Sequence, residues 1–147
     1  MRKMILLVAI LLPATLLLAQ SDVKPLDVKT GQWQVTMTMT LNGMGTPRTN
    51  TYKSCVKKEE LGKYPFTDPD KRCSYKVVSS TGKIMEAHGT CQPGSEGGKV
   101  DFDLRLDALD SENVKGTGQM TMNFNGQAMS GKYTATSKWL SATCSTQ

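Results

Sequence analysis

The chain has 147 residues, 38% of them hydrophobic, with 18 Lys and Arg against 13 Asp and Glu and a formal net charge of +5. This length suits one domain and is long enough to bury a core. The close basic pairs, Lys57-Lys58 and Lys71-Arg72, are interleaved with Glu59, Glu60, Asp68 and Asp70 instead of forming a stripe, so nucleic acid is not an expected partner.

Residues 1–19 begin with Arg2 and Lys3, run through an apolar stretch from Met4 to Leu12, break at Pro13 and end in a second apolar stretch at Ala19. This charged-then-apolar plan predicts a secretory signal peptide, cleaved after Ala19 to leave 128 residues. A retained anchor is the alternative. Pro13, Thr15 and Gln20 argue against it, because a spanning helix needs about 20 unbroken apolar residues. No cysteine precedes Cys55 to carry a lipid, and no later segment reads as a membrane span, so none is expected after processing.

Residues 20–30 read as a polar linker, and 31–147 as a single β domain. From Gly31 the chain alternates: Trp33, Val35, Met37, Met39 and Leu41 fall on one face of a strand, and Gln34, Thr36, Thr38 and Thr40 on the other. Asn42-Gly43 predicts a tight hairpin turn into a returning strand over 46–56. Between Lys57 and Lys71 alternation stops; Lys57-Lys-Glu-Glu-Leu61 allows one helical turn before Gly62, Pro65 and Pro69 impose a loop. Further strands are predicted over 73–80, 83–92, 98–108, 113–124 and 129–143, parted by Thr81-Gly82, Pro93-Gly94, Asp110-Ser111 and a second Asn-Gly at 125–126. The expectation is an all-β, antiparallel up-and-down meander of about seven strands with at most one short helix. Curling until the first and last strands meet would give a partly closed barrel; a two-sheet sandwich is the alternative.

Four cysteines, Cys55, Cys73, Cys91 and Cys144, allow three pairings. Cys73 and Cys91 lie nine residues either side of Gly82, the centre of a predicted turn, and would face each other across a hairpin. Cys55 with Cys144 follows by elimination and would tie the first hairpin to the last strand, a long loop worth several kcal/mol. Zinc is the competing reading, but no close cysteine pair is present and His88 is the only histidine.

Chemistry-bearing patterns are sparse. His88 has no signalled partner, and no nucleophile elbow, phosphate loop or dinucleotide motif occurs. Asp68, Asp70, Asp101, Asp103 and Asp107 lack the glycine turn and closing glutamate of a calcium loop. No metal or other cofactor is expected, and the chain is not expected to be an enzyme. The unusual feature is the pairing of methionines on strand faces, Met37 with Met39 and Met120 with Met122. Thioethers pack irregular apolar space and also suit copper(I). The leading expectation is a binding or envelope-support domain holding a small hydrophobic ligand, or an envelope protein partner, in an apolar concavity lined by Trp33, Met37, Met39, Met120, Met122 and Phe124. Copper(I) handling by the methionine pairs is the alternative.

Gly31-Gln-Trp33, Cys55-Val-Lys-Lys-Glu-Glu60, Asp70-Lys-Arg-Cys73, Gly89-Thr-Cys91 and the terminal Lys138-Trp139-Leu140-Ser-Ala-Thr-Cys144 together resemble the family called domain of unknown function 3617, small exported bacterial proteins with four cysteines. The likeness covers nearly all of 28–144 and departs at Ser137-Lys-Trp-Leu-Ser141, where similar proteins tend to have Gly-Arg-Trp-Leu-Gly. It implies export to the periplasm or medium and a cysteine framework, and no activity.

Overall fold

Two-residue alternation and turn chemistry produce seven strands. The computed structural model describes residues 23–43, 45–67, 73–92, 98–124 and 126–145, with the side chain of Phe124 left out. The expected leader, residues 1–19, lies outside the described residues. The strands are β1 (Gly31–Leu41), β2 (Arg48–Val56), β3 (Cys73–Ser80), β4 (Ile84–Cys91), β5 (Val100–Ala108), β6 (Asn113–Phe124) and β7 (Gln127–Ser141). Both Asn-Gly turns place the glycine in the left-handed region, Gly43 at φ 85° and Gly126 at φ 79°, as hairpin turns matched to strand twist demand. Among the described residues the only helical element is a 3₁₀ turn, Lys58–Glu60, whose Glu60 carboxylate accepts the Lys57 backbone N–H at 2.8 Å.

All seven strands form one antiparallel sheet in the order β2-β1-β7-β6-β5-β4-β3, partly curled and not closed. The first and last strands do meet, pairing from Gln32 with Ser141 to Leu41 with Gly131. The opening is a seam between β2 and β3. These strands are consecutive, but sixteen residues, 57–72, connect them and the described part, 57–67, is not a tight turn, so no hairpin forms there. The sandwich alternative is not what forms, because every strand belongs to the same sheet.

That connection also packs across the edges it leaves open. Phe66, 1% exposed, lies edge-on against Trp33 with ring centroids 5.2 Å apart. The Tyr52 hydroxyl donates to the Phe66 carbonyl at 3.1 Å, and the Ser54 hydroxyl donates to the Pro65 and Thr67 carbonyls.

Residues 23–30 depart from the linker reading. Leu26 is 1% exposed, and the backbone N–H groups of Lys24, Leu26, Asp27 and Lys29 donate to the carbonyls of Ser80, Leu61, Gly82 and Ser111. Their polar neighbours conceal two apolar residues, Leu26 and Val28, that complete the core.

Both disulfides form as the spacing predicts. Cys73 and Cys91 are direct cross-strand partners. Cys55 and Cys144 bridge the end of β2 to the tail after β7, passing β1 at Gln32, which pairs with both Cys55 and Ser141. Gly31 takes φ 122°, and a Cβ there would run into the backbone of Ser141 and Ala142, so only glycine fits where β1 enters the sheet.

Candidate functional site

The interior divides into two unequal halves. In one, Trp33, Val35, Val56, Met85, Leu106 and Val114 are buried beneath Leu26, Val28 and Phe66, and this half is plugged. In the other, Ala87, Val100, Leu104, Met120 and Tyr133 form a buried floor against which Met37, Met39, Leu41, Tyr75, Phe102 and Met122 pack while only partly covered. The partly covered methionines therefore gather at one end of the curl with Leu41, Tyr75 and Phe102, while Tyr52, Leu61 and Trp139 are the partly covered residues packed on the plugged half.

Two connected recesses open there. The deeper, about 60 Å³, is walled by Met37, Met39, Tyr64, Tyr75, Phe102 and Tyr133 together with the Cys73–Cys91 disulfide. The outer, about 130 Å³, is walled by Met39, Leu41, Thr46, Arg48 and Met122. Met39 is common to both. Register explains the grouping: Arg48, Met39 and Tyr133 are successive cross-strand partners on β2, β1 and β7, so they share the inner face. Tyr64 stacks on Tyr75 with centroids 4.4 Å apart, carrying the aromatic wall across the seam. Tyr133 meets Phe102 edge-on at 6.2 Å.

Of the residues expected to line a concavity, Met37, Met39 and Met122 do so. Trp33 does not. It is 0% exposed in the plugged half, its indole N–H donating to the Lys29 carbonyl at 3.0 Å, because the segment 23–30 covers that end of the face. Met120 is floor, not wall. The side chain of Phe124 lies outside the described residues, although its backbone pairs with Gln127 at the end of β6. The methionine pairs sit on β1 and β6 with β7 between them, so their strands are about 10 Å apart.

The wall residues that the sequence did not single out include three tyrosines, Tyr64, Tyr75 and Tyr133, beside Phe102, Leu41, Thr46 and Arg48. Tyr133 shares the inward phase with Gly131 and Ala135, a signal present in the alternation of β7, but its role depends on Gly118 opposite it. Burial pushes the Tyr133 phenol well above its ordinary value, helped by the nearby Tyr75 and Tyr52 hydroxyls, so it stays protonated.

The outer face of β4 and β5 carries shallower, larger hollows of about 460 and 330 Å³ around His88 and Asp103. Here His88 acquires a partner that the sequence did not signal: its Nδ1 lies 2.5 Å from the cross-strand Asp103 carboxylate. The neighbouring polar groups are also engaged, Thr90 with Asp101 and Arg105 with Glu86 and Asp107. Among the described residues no group of three or more His, Cys, Asp or Glu is placed to hold a metal ion. No helix of the described residues is long and apolar enough to cross a membrane.

Residues 28–144 match a family described as a protein of unknown function, DUF3617. The chain belongs to that family. The matched span begins at Val28 in the packed amino-terminal segment and ends at Cys144, so the DUF3617 region takes in Val28 and Phe66 of the plug, but not Leu26, together with all seven strands and both disulfides. No curated protein and no solved structure matches the chain.

Proposed function

We propose that this DUF3617 protein is an exported, non-enzymatic binding domain that takes up a small hydrophobic ligand in the open half of its curled sheet. The observation that carries the reading is the asymmetry of the interior: one half is plugged, and in the other partly covered Met37, Met39 and Met122 meet a tyrosine-rich wall. Ligand sites are concave, mostly apolar and furnished with few polar groups, and this cleft has that character. Its recesses fall short of the roughly 300–1,000 Å³ of drug-sized sites, which favours a small occupant or a shift of the flexible methionine side chains.

Export to the periplasm or medium is supported by the two disulfides, which persist in oxidising compartments, and by the leader-like residues 1–19. Binding without catalysis is supported by the wall of the smaller recess, whose titratable groups are phenols. Native mass spectrometry of the protein purified from its own envelope fraction tests the reading. A small hydrophobic mass released on denaturation is the expected result. An empty protein that also shows no saturable uptake of a fluorescent hydrophobic probe would overturn it.

A further inference from the structure

Tyr133 is 3% exposed, lines the deeper recess, and its hydroxyl finds no hydrogen-bond partner among the described residues. Buried hydroxyls are ordinarily paired, and an unpaired one on a residue that walls a recess is a donor for a polar atom of something else, reached by a shift of the flexible Met37 and Met39 side chains because the oxygen itself is closed to solvent. The fold holds this ring in place. Gly118 is its cross-strand partner, and a Cβ there would come within 2.7 Å of the ring carbon that bears the hydroxyl. The glycine thus leaves room for the phenol to lie across β6, and Phe102 closes against its edge.

We infer that the ligand of this cleft is a neutral carbonyl compound, a ketone, ester or quinone-like molecule, whose oxygen accepts a hydrogen bond from the Tyr133 hydroxyl while its apolar body lies against Met37 and Met39. This rests on the cleft being the binding site and adds the chemical class of its occupant. A neutral acceptor is specified because the deeper recess has no cationic side chain in its wall, and a carboxylate buried there would lose its hydration without compensation. The phenol acts as donor because burial keeps it protonated. The cation of the outer recess, Arg48, belongs to the mouth, so an acid would bind there with its charge outward.

Three probes of similar size separate these cases: toluene, acetophenone and benzoate, titrated into the disulfide-bonded protein with the methionine methyl resonances as readout. Acetophenone is expected to bind more tightly than toluene and benzoate. Tyr133→Phe should weaken acetophenone about three- to tenfold while changing toluene less than twofold, the loss of one neutral hydrogen bond. A second measurement needs no variant: the carbonyl stretch of bound acetophenone should move to lower frequency, as an accepted hydrogen bond requires. Toluene binding with acetophenone unaffected by Tyr133→Phe and its stretch unmoved would overturn the carbonyl inference and leave the cleft standing. Tightest binding by benzoate, lost in Arg48→Gln, would overturn it in favour of an anion site at the mouth. No saturable shift of the Met37, Met39 or Met122 methyls with any probe would remove the cleft and the inference together.

Discussion

Phe66 buries its ring beside the seam between β2 and β3, and Phe66→Ala tests what that plug contributes. Phe66 is almost fully buried, packs edge-on against the fully buried Trp33, and sits on a segment pinned by the Tyr52 and Ser54 hydroxyls. Removing a buried Phe ring costs about 3–5 kcal/mol, and loss of the aromatic pair is part of that cost. The upper part of the range is expected, because Cys55–Cys144 and the β1–β7 pairing fix the surrounding walls and limit collapse into the cavity. For a domain of roughly 120 residues each kcal/mol moves Tm by about 4 °C, so a loss of about 4–5 kcal/mol should lower the midpoint by about 16–20 °C. Urea titration with the disulfides intact gives the free energy, and size-exclusion chromatography reports whether the uncovered strand edges cause self-association. Leu109→Ala, at a residue 66% exposed, is the control and should stay within about 0.5 kcal/mol of the parent. If Phe66→Ala costs under about 1 kcal/mol, like the control, the plug contributes little and the account of the seam is wrong.

Replacing both Cys55 and Cys144 by Ser should cost about 4.6 kcal/mol from a sequence separation of 89, and replacing Cys73 and Cys91 about 3.2 kcal/mol from a separation of 18; a reversed order in chemical denaturation would contradict the loop-entropy reasoning. Gly31→Ala should lose at least about 2 kcal/mol or fail to accumulate, because it strains a positive φ and drives a methyl into Ser141; a parental Tm would refute this. The Asp110 carboxyl is held below its ordinary value by the backbone N–H of Glu112 and then by the Asn113 side chain, so its contribution is present above about pH 4 and is lost as pH falls through the folded-state value. Asp110→Ala should therefore lower stability at neutral pH and flatten the acid limb of the stability profile, and an unchanged acid limb would refute the assignment. Met37→Leu with Met122→Leu conserves volume and apolarity and should preserve hydrophobic probe binding, whereas a tight copper(I) complex abolished by the pair would establish the thioether alternative.

The strands were legible because their signals are local. Alternation from Trp33 to Leu41, the Asn-Gly turns and the symmetry of Cys73 and Cys91 about Gly82 each act within about twenty residues, and the structure follows them. The plug was not legible, since Phe66 lies in a stretch without periodicity and its burial depends on Trp33, thirty-three positions earlier in the sequence. Leu26 and Val28 were hidden by polar neighbours for the same reason. Three of the four methionines transferred to the cleft because strand phase gives the face but not the depth: Met37, Met39 and Met122 stop short of the floor, while Met120 forms it. Tyr133 needed the identity of its cross-strand neighbour, Gly118, and pairing between strands is what a single sequence reveals least.

The placement of the seam also bears on how the chain reaches its fold. Read along the sheet from β3, the strands run 3, 4, 5, 6, 7, 1, 2, which is a simple meander whose order has been rotated by one cut and one rejoining. A circular permutant joined across the present ends and opened within 57–72 would have every neighbouring pair consecutive in sequence. In the natural connectivity, five of the six strand pairings are local hairpins and a single one, β1 with β7, spans nearly the whole domain. Loop-closure entropy is concentrated in that step, so it is the expected bottleneck in folding. Cys55–Cys144 lies across the same junction. Once oxidised, that bond makes the distant ends neighbours in the unfolded chain as well, and refolding with it intact should be faster than refolding without it.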